Sequence, residues 1–152
     1  MKLTGLKSLV AACVAVLAAC DGGSLTGVTG EQMELANAQR LWSVNGMDDY
    51  GMTVRLTGAW FGGKAVIEVR GGVPVSVKPV EPANGVTAQL WESYDTVEEL
   101  FGILQRAVEE DAFRIDATFH AQYGVPVEVF VDHRESWVDD EQGFVVETFD
   151  PR

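Results

Sequence analysis

The chain contains the same short pattern twice: GVPVSV begins at Gly72 and GVPVEV begins at Gly124. Each copy follows a segment in which apolar and polar residues alternate, which is the period of a half-buried strand. Glycine adopts the positive φ that closes a tight loop, and a proline holds the residue before it in the extended region. Each copy therefore predicts a hairpin, and the repeat indicates one structural solution used twice rather than a duplicated functional motif.

The repeat also predicts a register for the two hairpins, if each closes through a three-residue loop with its glycine left-handed. The loop at 70–72 then sets Val69 opposite Val73, and the loop at 122–124 sets Phe119 opposite Val127. The other pairs follow from the same rule: Ile67 with Val75, Ala65 with Val77, Ala117 with Val129, Ile115 with Val131, and Arg114 with Asp132.

Two segments have the apolar period of a helix. The first follows the capping-box spacing of residues 29–32 and is expected to end at Gly46, with a buried stripe of Met33, Ala36, Leu41, Trp42 and Val44. The second should run from Val97 to about Asp111, behind a capping box of Thr96 and Glu99. Together with strands near 50–56, 65–70, 73–77, 113–119, 125–131 and 144–149, this predicts an α+β fold, in which two helices pack on one face of an antiparallel sheet of about six strands.

The first twenty residues have the pattern of a secretory signal. Lys2 and Lys7 precede an apolar run, and small residues lead up to Cys20. Leu17-Ala18-Ala19-Cys20 resembles the lipobox of bacterial lipoproteins, in which the signal is cut before the cysteine and its thiol then carries a lipid such as palmitate. The alternative is ordinary secretion with a free thiol. In enteric Gram-negative lipoproteins an aspartate at the position of Asp21 favours retention in the inner membrane.

This pattern divides the chain into three parts. Residues 1–19 are the predicted signal peptide, residues 20–30 are the lipidated cysteine and a Gly-rich tether, and residues 31–152 are a single domain. A flexible tether of ten residues has a reach of about 17 Å. The expected location is the outer side of the cytoplasmic membrane, which is the periplasmic face in a Gram-negative cell.

The charge of the chain restricts its partners. The formal net charge is −12, and it becomes −14 when Lys2 and Lys7 leave with the signal. Phosphate backbones and anionic headgroups repel so acidic a domain, so nucleic-acid binding is disfavoured and membrane contact should come from the lipid. A solvated acidic surface accounts for the charge more simply than an acidic ligand site.

Aromatic residues in the connections are the candidate contacts for a protein partner of the envelope. They are Trp60 and Phe61 between two strands, Trp91 before the second helix, and Trp137 near an acidic cluster. Tryptophan is a common anchor at interfaces, although loop aromatics also fold back over the open ends of a sheet. Trp60 and Phe61 are the leading pair in this hypothesis.

The acidic cluster after the fifth strand is a weak candidate for a metal site. It contains Asp132, Asp139, Asp140 and Glu141, whose oxygen ligands suit calcium, but the spacing is not that of an EF-hand loop. The alternative is a solvated acidic loop. No catalytic motif and no cofactor motif is recognised, so no enzymatic activity and no cofactor are expected.

Several short motifs resemble a family of secreted or lipid-anchored bacterial proteins known as a domain of unknown function. They are Trp42, Tyr50, Leu100-Phe101, Tyr123-Gly124-Val125-Pro126, Asp132 and Asp140-Glu141, and the likeness covers residues 35 to 150. Members of that family often carry cysteines after the first strand, where this chain has Ala59-Trp60-Phe61-Gly62-Gly63. The resemblance implies no activity.

The sequence therefore favours an envelope lipoprotein that acts as a non-enzymatic binding or interaction module, held at the membrane by lipidated Cys20. The alternative function is a metal-assisted envelope hydrolase that uses the acidic cluster near residues 132–141.

Overall fold

The computed structural model describes residues 30–59, 62–81, 85–136 and 140–152. Residues 1–29, which include the predicted signal peptide and most of the predicted tether, lie outside these ranges. The described elements, in chain order, are α1 Gly30–Asn45, β1 Tyr50–Gly58, β2 Gly63–Arg70, β3 Val73–Pro79, α2 Ala88–Trp91, α3 Val97–Glu109, β4 Arg114–Phe119, β5 Pro126–Asp132 and β6 Gln142–Pro151.

The six strands form one antiparallel sheet with the order β3-β2-β1-β6-β5-β4. This confirms the α+β class and the number of strands. Strand β6 lies between the two halves of the sheet, where it pairs with β1 on one side and β5 on the other. Besides the two expected helices, the described residues contain the short helix α2, which begins behind Thr87 as its N-cap. None of the described helices has the length and apolar character needed to span a bilayer.

Both copies of the repeat form the same local structure. Gly72 and Gly124 have φ values of 73° and 76°, and each leads into a strand with a β-bulge. The extra residue is Val75 in the first hairpin and Val127 in the second, the same position in the two copies. Proline has no N–H to donate to the sheet, so it is tolerated mainly at the start of a strand or at a bulge, and both copies place it there. The repeat is one structural solution used twice, as expected.

The predicted register was wrong along the whole first hairpin, and in the second hairpin it was wrong only near the turn. The first hairpin closes through the two residues Gly71 and Gly72, so that Arg70 faces Val73. The second closes through four residues, because the N–H of His120 donates to the carbonyl of Val125. Each bulge shifts the pairing by one residue. In the second hairpin this shift restores the predicted pairs beyond the bulge, whereas in the first hairpin none of the predicted pairs forms. Observed as predicted are Ala117 with Val129, Ile115 with Val131 and Arg114 with Asp132, whereas Val69 faces Pro74, Ile67 faces Val77, Ala65 faces Pro79 and Phe119 faces Pro126.

The core lies against one face of the sheet. Its largest fully buried side chains come from β1, β2, α3 and β6, and include Tyr50, Met52, Ile67, Leu100 and Phe144. Helix α1 contributes Leu35 and Ala38 to this core. The predicted stripe of α1 was therefore wrong in part: Met33, Ala36 and Val44 are exposed, while Leu41 and Trp42 are half-buried. The actual stripe is shifted because tertiary packing, not the weak amphipathic pattern, orients this helix.

Helix α3 has the N-terminus that the sequence predicts. The hydroxyl oxygen of Thr96 accepts a hydrogen bond from the N–H of Glu99 at 3.2 Å, and Thr96 is the N-cap. A second group completes this end: the Tyr50 hydroxyl oxygen accepts from the N–H of Val97 at 3.0 Å. Burial raises the pKa of the Tyr50 hydroxyl group. The phenol therefore stays neutral and links β1 to the start of α3.

We expect Tyr50→Phe to lower the free energy of unfolding by about 1–3 kcal/mol, because the buried N–H of Val97 would lose its acceptor. Urea unfolding followed by circular dichroism measures the change. Tyr123→Phe removes the same group from a less buried side chain and serves as the control. Equal small losses in both variants would show that the Tyr50 hydroxyl group does not stabilise α3.

Candidate binding surface

Several residues singled out from the sequence lie outside the described part of the chain. They are Cys20, Trp60, Phe61, Trp137 and Asp139. The lipidation of Cys20 and the partner contacts of the three aromatic residues therefore stay predictions.

Trp91, the fourth aromatic candidate, is placed in the hydrophobic core. Its side chain is 3% exposed, at the end of α2. A side chain buried to this degree packs within the domain and offers no free surface to a partner. This corresponds to the alternative in which a loop aromatic folds back over the sheet, and Trp91 is not part of the binding surface.

The acidic residues near the end of β5 do not converge. The Oδ1 atom of Asp132 accepts a hydrogen bond from the N–H of Arg134 at 3.1 Å, and Asp132 faces Arg114 across the β4–β5 pair. Asp140 and Glu141 precede β6. Within the described ranges, no three His, Cys, Asp or Glu side chains are grouped so that they could hold a metal ion. The metal site therefore gains no geometric support from Asp132, Asp140 or Glu141.

A small polar cavity lies beside His133. It has a volume of about 250 Å³ and is lined in part by Tyr94, Arg106 and Glu110. The His133 Nε2 atom lies 2.7 Å from the Gln142 side-chain nitrogen, and its Nδ1 atom lies 3.6 Å from a Glu110 oxygen. Burial raises the pKa of the Tyr94 hydroxyl group. His133 thus connects the C-terminal end of α3 with the start of β6, and this structural role explains its position.

The sheet carries a ring of four charges away from the core. Arg55 pairs with Glu81 at 2.8 Å and with Glu147 at 2.6 Å, while Lys64 pairs with the same two carboxylates at 3.1 and 3.4 Å. Hydrogen bonds from Arg55 lower the pKa of both Glu81 and Glu147. Because each charge already has two opposite neighbours, this ring offers little to an external ion.

An extended groove runs along strand β4 on the described surface. Two depressions of about 370 and 540 Å³ are joined by a narrow opening of about 20 Å³. Glu31 and Ile115 line all three, so the depressions form one continuous surface. We call it the β4 groove. Its walls are the N-terminal turn of α1, the C-terminal end of α3 and the edge strand β4.

The floor of the β4 groove is apolar. Leu35 of α1 and Leu104 of α3 are buried, and Ile115, Ala117 and Phe119 of β4 pack against them while remaining partly exposed. These three β4 residues point to one side of the sheet because successive side chains of a strand alternate. Phe113, at the entrance, is 55% exposed. The partly exposed side chains of Ile115 and Ala117, which line the larger depressions, are the part of this floor that apolar side chains of a partner can contact.

The rim of the β4 groove is acidic. Five carboxylates line it, from Glu31, Glu34, Asp111, Asp116 and Glu128, against the single guanidinium of Arg114. Arg114 forms an ion pair with Asp116 at 2.6 Å and lies over the Phe130 ring at 5.5 Å. Arg114, the one cation among the described residues that line the groove, is therefore already engaged, and the surface favours positively charged ligands.

The position of the groove depends on how α3 ends. Asp111 is the single described non-glycine residue with positive φ, at 54°. The N–H of Ala112 donates to the Ala107 carbonyl, and the N–H of Asp111 donates to the Val108 carbonyl, which together form a Schellman motif. This turn directs the chain from α3 into β4, and it leaves Asp111 at the rim.

Sequence reasoning missed this surface. Its acidic residues come from α1, the α3–β4 connection, β4 and β5, so they form no cluster in the sequence. The alternation in Arg114–Phe119 does predict a strand with one buried face. It does not show that β4 lies at the edge of the sheet, which is what leaves the groove open.

Three of the residues that carry the family resemblance, Trp42, Tyr50 and Tyr123, join Phe149 in an aromatic cluster near the C-terminal end of α1. The Trp42 ring lies 5.7 Å from Tyr50 and 6.1 Å from Phe149, both edge to face, and Tyr123 lies 5.6 Å from Phe149. The indole N–H of Trp42 also donates to Glu98 of α3 at 2.8 Å. These three residues therefore have a structural use.

Comparison with known proteins gives one family. The model of DUF6174, a family of unknown function, matches residues 34–151. Neither a curated protein nor a solved structure matches the chain.

Proposed function

The chain belongs to the DUF6174 family, and we propose that it is a bacterial envelope lipoprotein whose domain binds a protein partner without catalysing a reaction. The lipobox-like sequence before Cys20 supports the lipid anchor, and the Gly-rich sequence after it supports a tether with a reach of about 17 Å. The domain is then held close to the outer side of the cytoplasmic membrane. Enteric lipoproteins that have an aspartate at the position of Asp21 are retained at this membrane.

The observation that carries the binding proposal is the position and chemistry of the β4 groove. Gly30 and Glu31 lie in its wall, at the point where the tether enters the domain. The apolar floor provides the area that a protein interface needs, while the carboxylates of the rim provide selectivity. An anionic membrane surface would be repelled by the same rim, so a partner protein suits this groove better than the bilayer does.

Position-specific photo-cross-linking tests the proposal. A benzophenone amino acid is introduced at Thr118, in the groove wall, in the full-length protein expressed in bacterial cells. We expect an adduct with one protein of the envelope fraction. Val44, which is 71% exposed near the other end of α1, is the matched control and should give no such adduct. The proposal fails if neither position gives an adduct, or if both give the same ones.

The anchor has its own test. Cys20→Ser should abolish incorporation of labelled palmitate into the protein, because the lipid would have no thiol to attach to. A Cys20→Ser protein that still takes up the label would contradict lipidation at this residue.

A further inference from the structure

The two edges of the sheet differ in their capacity to accept another strand. Strand β3 forms one edge and contains Pro74 and Pro79, which have no N–H to donate. Strand β4 forms the other edge and contains no proline in the sequence RIDATF. An unprotected edge presents a row of N–H and C=O groups to any extended segment beside it. Among the described residues no further strand pairs with β4 on its outer side, so the edge at β4 is the one that can be extended.

The β4 groove lies directly beside this open edge. A segment that pairs with β4 would direct every second side chain to the face of the sheet on which Ile115, Ala117 and Phe119 lie. On that face it would meet the apolar floor of the groove. Its other side chains would lie on the opposite face, which at this edge carries Asp116, Glu128 and Phe130.

The charge of the groove then determines what the other side chains should be. Glu34 lies in the wall on the side of α1, and Glu128 lies in β5 directly behind the edge strand. Arg114 is already paired with Asp116, so the positive charges that could pair with Glu34 and Glu128 must come from the ligand. Lysine and arginine also have long apolar stems, which can pack beside the half-buried ring of Phe130. Acidic segments would be repelled.

We infer that the β4 groove binds a basic, extended peptide segment, in which apolar residues alternate with lysine or arginine, and that this segment joins the sheet beside β4 as a seventh strand. The inference rests on the proposed function, since it specifies the chemistry of the partner. The backbone pairing supplies affinity, and the alternating side chains supply selectivity.

A peptide of alternating lysine and valine tests the inference with the full-length protein in detergent micelles. We expect saturable binding by calorimetry, and slower hydrogen exchange for amides of residues 114–119 by NMR. A matched peptide with glutamate in place of lysine should bind at least about tenfold more weakly, because the rim repels it. A third peptide, N-methylated on alternate backbone nitrogens, keeps the side chains but cannot pair as a strand, and should lose a similar factor.

Two variants of the protein test the charges. The double variant Glu34→Gln/Glu128→Gln should weaken binding of the lysine peptide by about tenfold. Glu92→Gln, which changes an exposed carboxylate at the end of α2, should leave the binding unchanged.

Equal binding of the N-methylated peptide, or unchanged hydrogen exchange in β4, would overturn the added-strand geometry. Equal binding of the glutamate peptide would overturn the preference for basic partners. If one of these results is found but Thr118 still gives its cross-link in cells, the proposed binding function stands and only the basic added strand is rejected.

Discussion

Replacing Gly124 with alanine should lower the free energy of unfolding by about 2–5 kcal/mol, the largest loss that we expect from any single methyl group in the described domain. Two causes add. A φ of 76° is unfavourable for an L side chain by about 1–2 kcal/mol. The new Cβ atom would also overlap the Ala38 carbonyl oxygen and lie 3.0 Å from the Leu41 Cβ atom, and overpacking of this kind costs about 1–3 kcal/mol.

The chain provides a matched control for this variant. Gly72 occupies the corresponding position of the first hairpin with a φ of 73°, but a Cβ atom there meets nothing within 4 Å. Gly72→Ala should therefore lose only about 1–2 kcal/mol, from the backbone conformation alone. Chemical denaturation of both variants, followed by circular dichroism, measures the difference. Equal losses would show that contact with α1 contributes nothing at Gly124.

The second large effect is expected at Trp42, which joins four elements. From α1 its ring contacts Tyr50 of β1 and Phe149 of β6, and its indole N–H reaches Glu98 of α3. The ring also lies against Gly46, where any Cβ atom would collide with it. Trp42→Ala should lower the free energy of unfolding by about 2–4 kcal/mol, somewhat below the range for a fully buried tryptophan.

Trp42→Phe separates the contributions of this residue. It keeps an aromatic ring against Tyr50 and Phe149 but removes the hydrogen bond to Glu98, so the loss should be smaller than for alanine. The same denaturation experiment compares the two. If phenylalanine destabilises as strongly as alanine, the stabilisation by Trp42 comes from the hydrogen bond and not from the aromatic cluster.

Local signals in the sequence were sufficient for some elements. The Thr96 and Glu99 spacing and the strong apolar period predicted α3, and the structure confirms both its cap and its buried face. Local signals were not sufficient for α1, whose residues alternate less clearly between polar and apolar. There, packing against the sheet selected Leu35 and Ala38 as the buried residues and left Met33 and Val44 exposed.

The hairpin registers show a different limit. Alternation predicted the strands of both hairpins, and the positive φ of Gly72 and Gly124 was predicted from the repeat. The bulges at Val75 and Val127 were not, because an added residue leaves the pattern of apolar residues unchanged. The turns of two and four residues, in place of the expected three, were not predicted either; only in the second hairpin does the bulge offset the change in turn length.

The candidate site depends on strand order, which the sequence does not specify. The aromatic candidates were chosen for their chemistry in loops, and the described one, Trp91, is in the core. The β4 groove arises because β6 inserts between β1 and β5 and leaves β4 at the edge. Such pairing joins residues far apart along the chain, for which a single sequence carries no local signal.

The central position of β6 also has a consequence for the order of assembly. Each hairpin contains only neighbouring residues and can form early, but Tyr50 finds its partner Pro151 about a hundred positions later. Contacts of such long range slow folding, because a large loop must close before they form. The two halves of the sheet can therefore join only after β6 is available, and we expect the complete sheet to form more slowly than either hairpin.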